Sequence, residues 1–280
     1  MIGDKSHKVL RHQVVTKNDD PVTQRHEKLG TVKILNEFEE KSITIDIWIH
    51  DRNVSINKEL SARDIMNQND LWHGIKGLKK ALQKIAAGPK KHHGKTWHNE
   101  LFDKVTSVAN HAHYAARNSN GDPALLQQML LNTVQHYKGN HDQCQTISRC
   151  KTDPNFELSK KLITDSSAES LLSKTIQSST LFKSAKDFSY GKDSHYVESY
   201  NNVLNIFTDK RIAFSSEEYE LRVRLATLHW NENVDRGFTS EWQAPSAANR
   251  RSKIKKIYKK LSYDYHNEIW ECFLMTINRA

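Results

Sequence analysis

Glycine and proline are scarce in this 280-residue chain, at ten and five residues. That removes the punctuation on which turn-rich, many-stranded folds depend and favours long helices. Cysteine is scarcer still: three residues cannot all pair, and nothing points to export, so a reducing compartment is expected rather than a disulfide scaffold. No run approaches the roughly 20 apolar residues of a bilayer-spanning helix, and the hydrophilic N-terminus lacks a signal-peptide core; no membrane partner is expected. Glycine-rich phosphate loops, nucleophile elbows and nicotinamide fingerprints are all missing. A net excess of positive charge is also missing from most of the chain. Of the net +9, seven charges lie on Arg250, Arg251, Lys253, Lys255, Lys256, Lys259 and Lys260, with no acid among them, which leaves +2 elsewhere. The basic character is a local device suited to nucleic acid or to nuclear import.

The length permits one large domain or two small ones. His7 to Lys17, with Val9, Val14 and Val15, reads as a strand, and Asn18-Asp19-Asp20-Pro21 as a turn. A helix follows from about Val22, its stripe formed by Leu29, Val32, Leu35 and Phe38. The β-branched run Ser42–Ile49 reads as a buried strand, and these elements would make a parallel β-α-β unit. Asp51 stands where the strand must stop. A carboxylate there is either a turn former or a metal ligand of a phosphoryl-transfer site, held by the rigidity of the sheet. A short helix carries Ile56 and Leu60. A basic helix then runs through Lys84 and ends at Gly88-Pro89. Its Lys76, Lys79, Lys80 and Lys84 share much of one face; such a face is ordinary solvation unless it borders the carboxylates.

From about Lys90 to Lys192 the pattern is mainly helical, around Trp97 to Val108, Leu126 to Val134 and Ala168 to Ile176. Within it lie His136, His141, Cys144 and Cys150, spaced H-x4-H-x2-C-x5-C. Two imidazoles and two thiolates can close a tetrahedral zinc shell, and the surrounding loop has few apolar residues to stabilise it otherwise. The alternative is a histidine-rich loop with two reduced cysteines. His92-His93 reads as solvated loop, His111 and His113 as packing groups, and Cys272 as a small hydrophobe. The helix from His195 to Phe207 carries Val197, Tyr200, Val203, Leu204 and Phe207 on its apolar side, with Glu198, Asn202 and Asn205 on another face. A helix over Ser216–His229 precedes Trp230 to Arg236. Beyond Gly237 comes a mixed basic tail with a last amphipathic stretch from Leu261 to Ile277.

Several blocks fall in a recognisable order. Asp51-Arg52 precedes Asn67-Gln68-Asn69-Asp70-Leu71-Trp72-His73-Gly74-Ile75-Lys76. Trp97, Asn110-His111, Gly121-Asp122 and the His136/His141 pair ahead of cysteine follow. Then come Val197-Glu198-Ser199-Tyr200-Asn201, Lys210-Arg211-Ile212-Ala213-Phe214, Leu225-Ala226 and Asn231-Glu232-Asn233-Val234-Asp235-Arg236. In this order the chain resembles Kolobok-type cut-and-paste transposases and related transposon-derived proteins, over roughly His7 to Arg236.

The resemblance implies an α/β fold with a ribonuclease-H-like core interrupted by a mainly helical insertion. It also implies an Asp-Asp-Glu triad holding two magnesium ions for DNA cleavage and strand transfer. Asp51 would be the second acid and Glu198 the third, converging at one sheet edge. The departure lies at the first acid: only one strand precedes the first helix. Asp4 would serve only if that strand were the central one, and Asp19-Asp20 falls in a turn. The core is therefore expected to be N-terminally incomplete and its chemistry impaired. The expected organisation is residues 1–88 as the first part of the core and 89–192 as the insertion with the zinc group. Residues 193–236 would be the closing helices and 237–280 the basic tail. A nuclear protein acting on double-stranded DNA is expected, with self-association left open. The alternative is a non-catalytic DNA-binding or scaffolding protein domesticated from a transposon.

Overall fold

In the computed structural model, residues 1–244 and 253–278 are described. In chain order the principal elements are α1 (His26–Glu40), β1 (Ile47–His50), α2 (Val54–Ala62), β2 (Met66–Asn69), α3 (Leu71–Ala86), α4 (Val105–Asn118) and α5 (Pro123–Tyr137). After these come α6 (Ser166–Ser178), α7 (His195–Phe207), α8 (Ser216–Asn233), β3 (Phe238–Ala244), β4 (Lys253–Tyr258) and α9 (Tyr265–Ile277). The chain is mixed α/β, about 56% helical, with its few strands in two small sheets. It divides into two compact units, one of Met1–Ser42 with His195–Ala280, the other of Ile43–Ser194.

In the Ile43–Ser194 unit, α3 is the organising element. Its Leu71, Ile75, Leu78, Leu82 and Ala86 repeat at three- and four-residue steps and are all buried. They pack with Val108 and Ala112 of α4, Leu126 and Leu130 of α5, and Leu172 and Ile176 of α6 in one continuous core. Gly74 is required by this packing: a Cβ there would stand 2.7 Å from Phe188 Cε1. The sheet of this unit is a parallel pair with Ile47 opposite Met66 and His50 opposite Asn69. A parallel pair needs a crossover, and α2 supplies it. β2 (Met-Asn-Gln-Asn) has no strand-like composition. Gln68 is nonetheless fully buried, because its amide accepts from Tyr190 N (3.1 Å) and donates to the Lys186 carbonyl (2.9 Å).

In the other unit, side chains clamp backbone. His7 to Lys17 forms no strand; only an isolated bridge pairs Ile2 with Val9. The reason is that Val9 finds its partners in a side chain. Asn231 Oδ1 accepts from Val9 N (2.7 Å), Asn231 Nδ2 donates to Val9 O (3.0 Å), and Trp230 Nε1 donates to His7 O (2.9 Å). Two residues on, Asn233 makes the same two-way clamp with the Ser262 backbone. Between them, the Glu232 carboxylate accepts from Asp264 N and Tyr265 N at the start of α9. The Asn-Glu-Asn string therefore ties two chain segments, around Val9 and over Ser262 to Tyr265, to α8. A small core of Val9, Tyr200 and Trp230 fills the space beneath. The expected basic tail folds as an antiparallel β3–β4 ribbon, with Trp242 opposite Lys255 and Glu241 opposite Lys256.

Candidate metal centres

Both strands of the parallel pair run out into a carboxylate, and these are neighbours. Asp51 follows β1 and Asp70 follows β2. Parallel pairing puts both acids at one end of the sheet, and strand alternation puts them on one face. Asp70 caps α3, its side chain accepting from His73 N at 2.8 Å. Its other oxygen accepts from Ser194 N (2.7 Å) and Ser194 Oγ (2.6 Å). Burial works against the charged carboxylate, but these hydrogen bonds outweigh it and hold the Asp70 pKa below its ordinary value. The first turn of α3 then aims His73 at both acids: Nδ1 lies 3.1 Å from Asp70 Oδ1 and 3.4 Å from Asp51 Oδ1. One atom from each of Asp51, Asp70 and His73 lies within 4.8 Å of the other two. Asp70 is 3% exposed and Asp51 62%, so the group has an anchored floor and an open mouth. Sequence reading found Asp51 and missed the role of Asp70 and His73. The available signal was Asp70 directly before an apolar helical run, an N-cap position.

An exposed lysine row begins on α3 three residues after His73. Lys76 lies over the Trp72 ring at 4.4 Å, one turn from His73, and Lys80 and Lys84 continue the exposed row at four-residue steps.

The second group is closed. Gly139, at φ +83°, ends α5 in a left-handed turn: Gly139 N donates to His136 O and Asn140 N to Gln135 O. This paired-bond terminus reverses the chain, so His141 returns over His136, their Nδ1 atoms 3.1 Å apart. Cys144 Sγ lies 3.5 Å from His136 Nδ1 and 3.8 Å from His141 Nδ1. With Cys150, all four donor atoms lie within 4.8 Å of one another. Burial, reinforced by repulsion from His141 and His111, pushes the His136 pKa down to about 4, which leaves a neutral, donating imidazole at pH 7. The structure thus brings all four predicted residues together. His111 stays outside the group, its Nε2 bonded to the Met129 carbonyl (3.0 Å).

Glu198 is placed in the first turn of α7 in the other unit, exposed, with Asn202 and Asn205 on the same polar face. Of the predicted DNA-contacting residues, Arg250 and Arg251 lie outside the described residues. Lys253 to Lys256 belong to β4. Lys255 stands over Trp242 at 5.4 Å and Lys256 over Phe238 at 4.3 Å, and Lys259 and Lys260 follow, exposed.

No protein-family model matches the chain, and neither a curated protein nor a solved structure matches it. Among the described residues no helix is long and apolar enough to cross a membrane.

Proposed function

We propose that this chain is a transposase-derived, DNA-binding protein whose Asp51–Asp70–His73 group is a divalent-metal site for phosphodiester chemistry. The observation that carries the reading is the pairing of two carboxylates at the ends of adjacent parallel strands, with a lysine row leading away from them. Asp51 offers exposed oxygens suited to magnesium. The His73 imidazole suits manganese better than magnesium, so manganese is expected to bind more tightly. A cation held there would act as a Lewis acid on a phosphoryl oxygen. The chain's own part is to orient and to attract. Asp70 fixes the start of α3 and thereby His73, and Lys76, Lys80 and Lys84 neutralise backbone phosphates. The family resemblance adds Glu198 as the third acid and a ribonuclease-H-like core. It matches no residue here to the first acid, so cleavage is expected to be weak. The same reading takes the His/Cys group of the insertion as structural zinc, and the protein as nuclear.

The second reading, a non-catalytic DNA-binding protein, is supported by the β3–β4 ribbon, whose lysines stand over aromatic rings. A two-stranded ribbon of this kind fits a DNA groove. One experiment separates the readings: duplex affinity at two salt concentrations, with manganese-dependent plasmid nicking measured in parallel. The first reading expects salt-sensitive binding weakened by Lys76/Lys80/Lys84→Gln, and slow nicking that Asp51→Asn and Glu198→Gln abolish. Binding lost only on replacing Lys255, Lys256, Lys259 and Lys260, with no nicking, selects the second. Affinity indifferent to salt and to both lysine sets overturns both.

A further inference from the structure

No residue from Lys138 to Leu162 is buried; the next buried side chain is Ile163. Within this stretch the only helix is the single turn Arg149–Thr152. A segment this long with so little regular structure is unusual inside a compact unit, and it has no apolar core of its own to offset its ordering entropy. Ile147, its one β-branched aliphatic residue, is 71% exposed. Leu158, half-buried against the helical core, is its one aliphatic anchor there, which is thin support for so long a stretch.

We propose that His136 and His141, each through Nδ1, and Cys144 and Cys150, through Sγ, close a tetrahedral zinc shell that pins this segment to the end of α5. The distances carry the assignment. With Zn–N near 2.05 Å and Zn–S near 2.3 Å, a regular tetrahedron has edges of about 3.3 Å between nitrogens and about 3.6 Å between nitrogen and sulfur. The observed edges are 3.1 Å for the two imidazoles, and 3.5 Å and 3.8 Å from Cys144 to each. A proton on one Nδ1 or on the thiol bridges only one of these contacts at a time, whereas a cation between the donors satisfies all of them together.

Donor chemistry selects the ion. Two thiolates exclude magnesium and calcium, which take oxygen, and a mononuclear S2N2 set in tetrahedral array is zinc chemistry. All four positions are filled by protein, so the site is structural and leaves no place for substrate. Outer contacts orient the ligands. Asn132 Nδ2, on α5, donates to Cys144 Sγ at 3.4 Å. Tyr114 of α4 donates to Gln145 Oε1 at 2.6 Å, and the Phe156 ring packs edge-on to His141 with centroids 5.5 Å apart. Asn132 is a positioning residue: it touches a ligand sulfur, not the ion.

The zinc assignment deepens the structural-zinc part of the proposed function, and its test is independent of the transposase part, since neither Asp51 nor DNA enters it. The test uses the full chain, purified with reductant and without chelator. Elemental analysis is expected to find about one equivalent of zinc. Exchange into cobalt should give tetrahedral d–d bands with a thiolate-to-metal charge-transfer band. Cys144→Ser should bind the metal at least 100-fold more weakly, and Asn132→Ala, which keeps all four ligands, about 10-fold more weakly. Should Cys144→Ser fail to fold, limited proteolysis of the wild-type protein decides. Chelator is expected to open cleavage sites between Lys138 and Leu162 and to leave α3, α4 and α6 intact. Absence of zinc, a cobalt spectrum without the thiolate band, or cleavage indifferent to chelator overturns the proposal.

Discussion

The His136–Cys150 group and the Asp51–His73 group belong to the same unit, yet one closes upon itself and the other opens to solvent. In the first, four donors supplied by a helix end and the loop behind it leave no free position. In the second, a strand end and a helix cap contribute one anchored carboxylate, one imidazole and one exposed carboxylate. The difference follows from what surrounds each. The closed group sits at the start of a segment without buried side chains, where a metal can replace a core. The open group sits where the core is complete: Leu71 and Ile75, flanking His73, are 1% and 3% exposed. A metal there has no folding task left to perform. Closed geometry goes with stability, open geometry with binding and chemistry.

The largest effect that would break this contrast is on the closed group. With free zinc about 1,000-fold above Kd, removing it should cost about 4 kcal/mol of stability, seen as a fall in thermal midpoint on chelation. With manganese near its Kd, its removal should cost only about 0.4 kcal/mol by the same relation. A similar cost is expected in the helical core: Leu126→Ala or Leu172→Ala, at 0% and 1% exposed, should lose about 2–5 kcal/mol by urea denaturation. Ile147→Ala, in the segment behind the His/Cys group, should lose less than about 0.5 kcal/mol. An Ile147 effect as large as that of Leu172 would mean that the segment has an apolar core after all.

A smaller effect separates the two acids of the open group. Asp70→Ala removes the cap of α3 and its bonds to Ser194, and should cost about 2 kcal/mol in chemical denaturation. Asp51→Asn should change stability by no more than about 0.5 kcal/mol, because Asp51 is exposed. Equal losses would make the pair a structural feature.

The smallest effect is on pH dependence. Burial lowers the His111 pKa from 6.5, opposed by its bond to Met129 O. The folded state therefore takes up its proton less readily than the unfolded chain. That contribution to stability is complete above pH 6.5 and is lost as pH falls through the folded value. His111→Gln should flatten this part of the stability profile whether or not zinc is bound. Flattening only in the zinc-loaded protein would assign the effect to the metal group.

Legibility in the sequence followed the same contrast. The four residues of the His/Cys group are close in sequence, so spacing alone announced the cluster. Helices α1, α2, α5, α6 and α7 declared themselves through apolar positions, whereas the pattern from Trp97 to Val108 falls mostly on the loop and 3₁₀ helix ahead of α4. What stayed hidden depends on polar residues with distant partners. β2 is four residues with little strand propensity, its Gln68 buried by bonds to Tyr190 and Lys186 more than a hundred positions away. Without β2, Asp70 cannot be seen beside Asp51. His7 to Lys17 had a strand's composition, but Asn231 and Trp230 satisfy the backbone of its first residues in place of a neighbouring strand. The basic ribbon was read as a tail because charge obscured the β-branched Ile254 and Ile257.

The most direct test of the open-group claim is manganese binding to the zinc-loaded full chain, followed by electron paramagnetic resonance in wild type and Asp51→Asn. Zinc content is measured on the same samples. Manganese affinity is expected to fall at least tenfold in Asp51→Asn while zinc stays at about one equivalent. Manganese binding that Asp51→Asn leaves unchanged would contradict the open-group claim.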